Sequence, residues 1–108
     1  MRYGLPDETI RKIQEAFSHY AQIEKAIIYG SRAKGNFKNG SDIDLTLTGE
    51  GIDLALMAKL ESELDDLNLP YIFDLSIALQ ISNPALTEHI ERIGIVFYEK
   101  GLPDIGRV

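Results

Sequence analysis

Apolar residues recur every three or four positions through Ile10, Ile13, Phe17, Tyr20 and Ala21. That spacing lines one face of an amphipathic helix and predicts it over residues 6–20. Pro6 suits the first turn, and Asp7 and Glu8 complement the positive end of the helix dipole. His19, near the far end, reads as a surface residue. The period then changes. Residues 25–29 are almost wholly apolar and stop at Gly30-Ser31, predicting a first strand and then a short helix over residues 31–35. A turn-rich loop over 35–41 leads into residues 42–48, where Ile43, Leu45 and Leu47 alternate with Asp42 and Asp44 as a second strand.

Beyond the Gly49-Glu50-Gly51 turn, Asp53 is placed to cap a helix running to about residue 67. Leu56, Leu60, Leu64 and Leu67 form its stripe, Met57 fills beside it, and Glu61, Glu63, Asp65 and Asp66 take the wet side. Asn68 and Pro70 stop it. Residues 71–78 predict a third strand, with Phe73, Leu75 and Ile77 on one face and Ile72, Asp74, Ser76 and Ala78 on the other. Asn83-Pro84 opens a helix to about residue 93, striped by Leu86, Ile90 and Ile93, with His89 as a packing residue at its margin. Gly94 ends it before a short fourth strand over 95–98. The termini, residues 1–5 and 101–108, are expected to be loose.

Length and composition narrow this to one domain. A chain of 108 residues buries about 65% of its unfolded surface, enough for a single core. It contains no cysteine, which removes disulfides and thiolate metal sites, and no apolar run of membrane-spanning length or signal segment. A soluble, cytoplasmic protein is expected, with no membrane partner. The net charge of −6 argues against a long nucleic-acid partner, which calls for a basic face.

Chemistry concentrates between residues 27 and 47. Asp42 and Asp44 share one face of the second strand, where two carboxylates repel each other and gain nothing structurally. A hard divalent ion such as Mg²⁺, held by one or two carboxylates plus substrate phosphates, gives such a pair a purpose. Gly30-Ser31, ending a strand and opening a helix, offers backbone N–H groups to an anion. Arg32, Lys34 and Lys38 supply the local positive charge. Arg32 and Lys38 are candidate triphosphate contacts, against the alternative of a solvated basic loop. Asp74 is an acid in an otherwise apolar strand. It is either a residue of an edge strand, a partner of a buried arginine, or a third carboxylate facing the first two.

Gly30-Ser31, ten residues, then Asp42-x-Asp44 resembles the signature of the DNA polymerase β-type nucleotidyltransferase superfamily. The wording Gly30-Ser31-Arg32-Ala33-Lys34-Gly35 and Ser41-Asp42-Ile43-Asp44-Leu45 is most similar to its smallest members, the minimal nucleotidyltransferases. The resemblance covers most of the chain and implies an α+β, two-layer fold: a mixed sheet of about four strands with helices packed on it and the acids at an exposed edge. It implies a third acid on a later strand, which is Asp74 here. It also implies Mg²⁺ in a two-metal site held by Asp42, Asp44 and Asp74, and ATP as substrate bound through Gly30, Ser31, Arg32 and Lys38. Minimal nucleotidyltransferases resemble antitoxins paired with a helical HEPN-type toxin, to which they attach AMP. Larger relatives carry a second, acceptor-binding domain that has no counterpart in these residues, so the acceptor site is expected to be missing or supplied in trans. Two other expectations stand beside this one: a nucleotide-binding or inhibitory subunit without turnover, and a small-molecule nucleotidyltransferase whose acceptor domain is a separate chain.

Overall fold

The computed structural model describes residues 1–101; the expectation for the tail beyond lies outside them. Four helices and four strands follow in the order α1 (Asp7–Ser18), β1 (Lys25–Tyr29), α2 (Gly30–Lys34), β2 (Ile43–Thr48), α3 (Leu54–Asp65), β3 (Phe73–Ile77), α4 (Pro84–Ile93) and β4 (Ile95–Glu99). One 3₁₀ turn, Ala78–Gln80, follows β3. The strands form one mixed sheet in the order β3-β2-β1-β4. β1 is antiparallel to β2 and to β4, whereas β2 and β3 run parallel, joined by the crossover through α3. This is the α+β mixed sheet of four strands that the sequence leads one to expect.

The alternation read in the sequence decides which face is covered. Ala26, Ile28, Ile43, Leu45, Leu47 and Phe97 point to one side and are buried there with Ile10, Ile13 and Phe17 of α1 and Leu56, Leu60 and Leu64 of α3. Phe17 meets Phe97 edge-on at 6.4 Å, which closes the core against β4. Asp53 caps α3 by accepting the Leu56 N–H at 2.8 Å, and Asn83 caps α4 by accepting the Ala85 N–H at 2.9 Å. The second face carries α4, which contacts α2 and β1 and buries none of its own residues fully. His19 lies exposed just past α1 and pairs with Glu63.

The N-terminus departs from expectation. Leu5 is fully buried in the core, and Arg2 and Leu5 exchange two backbone hydrogen bonds of 3.1 and 2.8 Å across a tight turn. Tyr3 sits at φ +57° within that turn. Nothing in the local pattern marks Leu5 as a core residue, because a lone apolar side chain before a helix has no period. Its burial makes residues 2–5 part of the packed structure.

Candidate active site

The second face of the sheet gathers the candidate residues at one end. Tyr29, Asp44 and Asp74 form a row across three strands: Tyr29 is opposite Asp44, and Asp44 is opposite Asp74. Neighbouring strands lie about 4.8 Å apart, so the two carboxylates stand side by side on one face. Asp42 precedes β2 by one residue and is exposed. Asp74 is also exposed, on an edge strand, so its presence needs no buried partner. The costly-burial argument for Asp74 therefore fails, and its place in the row is what makes it a candidate.

Gly30 and Ser31 open α2 directly beside this row. Gly30 adopts φ +73°, and a Cβ built on it would collide with Asp44 Oδ2. A left-handed backbone and the absence of a side chain are both required for the chain to turn this close to the carboxylate. The Gly30 N–H donates to His89 Nε2 at 3.1 Å, which places the imidazole proton on Nδ1. The N–H groups that follow in the first turn have no partner within a helix only five residues long. They and the Ser31 hydroxyl are the donors this elbow presents.

Burial pushes the Asp44 carboxyl above its ordinary range, and the charges of Asp74 and Asp42 push it further. His89 and Arg32 pull it back, the imidazole only when protonated. Tyr29 is 7% exposed, and its hydroxyl bonds Ser76. Burial raises the Tyr29 phenol, as do Asp74 and Asp44. The Ser76 hydroxyl in turn donates to Thr46 Oγ1 at 2.9 Å. This layer under the acids is a closed set of polar contacts.

A group whose folded pKa is raised binds a proton more tightly in the folded state than in the unfolded chain. Its ionisation therefore removes stability as pH rises from the ordinary carboxylate pKa of about 3.9 toward the raised folded value. Asp44→Asn is expected to melt higher than wild type at neutral pH without metal, and to lose that advantage below about pH 4. Thermal melts across pH check this, and equal melting temperatures at neutral pH would show that the acids do not strain one another.

Among the described residues, no three His, Cys, Asp or Glu side chains form a ready cage for a metal ion. The expected convergence of three acids is thus a shelf of hard oxygen donors, not a preformed cage. Such a donor set suits Mg²⁺, whose remaining ligands come from water and substrate phosphates. Mutual repulsion around Asp44 is a further sign of fit, since an added cation would relieve it.

Arg32 stands differently from the expected triphosphate contact. It is 2% exposed, and its guanidinium donates to Ser41 O from Nε (3.2 Å) and Nη2 (2.9 Å) and to Tyr3 O from Nη1 (2.9 Å). Lys38 is exposed on the loop between α2 and β2, where its backbone N–H donates to Ser41 Oγ at 2.8 Å. His89, Tyr29, Ser76 and Thr46 are the neighbours that sequence reasoning missed. His89 is 59 residues from Gly30 along the chain, and no spacing rule connects them. Tyr29 carried the one usable signal, a polar-tipped aromatic ending an apolar strand at the glycine.

Residues 11–101 match a protein family described as polymerase beta, nucleotidyltransferase. Comparison with curated proteins by sequence finds no significant match. Among solved structures, a toxin–antitoxin complex with AMP-PNP superposes with a TM-score of 0.66 at 17% identity, covering 90% of this chain and 76% of that one. A tri-AMPylated HEPN toxin in complex with MNT antitoxin, from Shewanella oneidensis, gives 0.61 at 16% identity, covering 85% and 71%. A nucleotidyltransferase from Sulfolobus solfataricus, so described provisionally, gives 0.58 at 14% identity, covering 93% and 86%. At these identities the likeness speaks for the fold.

Proposed function

The chain belongs to the polymerase β nucleotidyltransferase family, and from that footing we propose that it transfers AMP from ATP to a hydroxyl on a paired HEPN-type protein. The single observation that carries the reading is the register that sets Asp74 opposite Asp44, beside the Gly30-Ser31 elbow. Nucleotidyl transfer asks a protein for in-line positioning and charge neutralisation more than for covalent chemistry. Backbone N–H groups and the Ser31 hydroxyl bind the outer phosphates, with Lys38 available from the loop. Asp42, Asp44 and Asp74 would hold Mg²⁺ at the two-metal site. When bound, the ions would supply neutralisation of the charge developing on the phosphate oxygens.

Asp74 accepts the proton of the attacking hydroxyl. That oxygen bonds the α-phosphorus, the bond from the α-phosphorus to the bridging oxygen breaks, and pyrophosphate leaves with that oxygen. The new linkage is a phosphodiester. Asp74 lies exposed on the open edge of the sheet, where a side chain from a docked protein can reach it. Two cavities between α3 and β3, of about 330 and 340 Å³, are lined by residues such as Glu61, Leu64, Phe73 and Leu75 and include none of Asp42, Asp44 and Asp74. Two neighbours of this fold are toxin–antitoxin complexes, one with AMP-PNP and one with an AMPylated toxin, which supports this choice of acceptor.

The test is incubation with α-labelled ATP, Mg²⁺ and the HEPN-type protein proposed as its partner. The partner is expected to become labelled and one AMP heavier per transfer by mass spectrometry. Label on a free aminoglycoside or an RNA end, with the partner unmodified, would overturn the choice of acceptor. Nucleotide binding without transfer to any acceptor would favour an inhibitory subunit.

A further inference from the structure

Arg32 is the one buried charged side chain among the described residues, and none of the ion pairs among those residues includes it. Placing an arginine there carries a desolvation cost that an aliphatic residue of similar volume would avoid. Packing alone does not account for it. Its contacts reach three separate segments: the N-terminal turn, the α2–β2 loop and the approach to β3. Two donors hold Ser41 O, one holds Tyr3 O, and the guanidinium carbon lies 5.3 Å from the Phe37 ring centroid and 5.1 Å from that of Tyr71.

Two of these segments lead directly to a candidate site residue, as does the helix that carries Arg32. Arg32 itself follows Ser31 in α2. Ser41 precedes Asp42, and Tyr71 lies three residues before Asp74. Phe37 wedges the α2–β2 loop against the N-terminal turn so closely that a Cβ at Gly4 would collide with its ring. Within that loop, the Ser41 N–H donates to Lys38 O at 3.0 Å, so fixing the Ser41 carbonyl fixes the whole turn. Only a guanidinium, with five donors in a rigid planar fork, spans these carbonyls while stacking on aromatic rings.

We propose that Arg32 is a positioning residue that sets the spacing between the phosphate-binding elbow and the Asp42/Asp44 carboxylates by clamping the loop between them. This rests on the nucleotidyltransferase reading of the site. Nucleotide phosphate and metal bridge the two halves, so a loosened loop weakens both at once. Arg32→Lys keeps the charge and one donor; Arg32→Met keeps the volume and no donor.

The experiment has two arms. In the first, amide exchange of residues 36–42 is followed in the nucleotide-free protein, with circular dichroism to establish folding. Exchange should be at least tenfold faster in Arg32→Lys and faster still in Arg32→Met, if the latter folds. In the second, the Mg²⁺ concentration giving half-maximal AMP-PNP binding is measured per folded molecule. It should rise about tenfold in Arg32→Lys, since misplacement of binding groups is felt steeply. A merely structural residue would lower the melting temperature and leave that midpoint unchanged. Unchanged exchange, or faster exchange with an unchanged Mg²⁺ midpoint, overturns the proposal. Wild type that binds no AMP-PNP at any Mg²⁺ concentration overturns the nucleotidyltransferase reading and the functional role of Arg32 with it, whereas the exchange arm still reports the clamp.

Discussion

Asp74→Asn is expected to slow AMP transfer by about 10²–10⁴-fold, the range for loss of a general base, while nucleotide binding stays within a few-fold of wild type. Asp74 is exposed on an edge strand, and its change to asparagine keeps shape, so stability should move by no more than about 0.5 kcal/mol. Loss of transfer in this variant would not be a folding defect. Asp44→Asn should differ by weakening Mg²⁺–ATP binding itself, because Asp44 lies against Gly30 at the elbow proposed to bind the phosphates. Single-turnover rates with nucleotide titrations separate the two. A fully active Asp74→Asn would remove Asp74 from the chemistry and leave only the pair before and within β2.

Gly30→Ala is expected to damage stability and transfer together. A non-glycine residue at φ +73° costs about 1–2 kcal/mol, and the added Cβ collides with Asp44 Oδ2. The carboxylate must then move, and a displacement of about 1 Å in a site that works by positioning can cost about 10²-fold in rate. Gly35→Ala is the matched control. It carries a similar backbone penalty at φ +91°, but a Cβ there meets nothing within 4 Å. The Gly35 variant should lose melting temperature and keep transfer per folded molecule, whereas the Gly30 variant should lose both. Equal activity in the two would show that closeness to Asp44 does not matter.

Much of this architecture is legible from period alone. The stripes of α1 and α3, the Asp53 and Asn83 caps and the alternation of β2 and β3 are local properties, and the structure follows them to within a residue or two. β1 begins and ends at the expected residues. Contacts between segments far apart in the chain are different. The burial of Leu5, the His89 bond to Gly30 and the turning of Arg32 inward all join residues 29 or more positions apart, or lack any period. Arg32 reads as a triphosphate contact or a solvated loop residue, and both readings leave it at the surface, where arginines usually lie. Its burial follows only once Tyr3, Phe37 and Tyr71 surround it. The alternation gives the face of Asp74, whereas its exposure follows only from the edge position of β3, which a sequence does not fix among the alternatives.

The parallel pairing of β2 with β3 has a consequence for how the acids are aligned. Side chains alternate with a period of two, so sliding β3 by one residue would turn Asp74 toward the core and expose Leu75 and Ile77. The greasy positions of β3 therefore act as a ratchet that admits one alignment of the two aspartates and rejects its neighbours. The accuracy of the chemistry is inherited from residues that never touch a substrate. Trimming Leu75 or Ile77 would blur that alignment, and a catalytic defect would appear on the far side of the sheet from the cut.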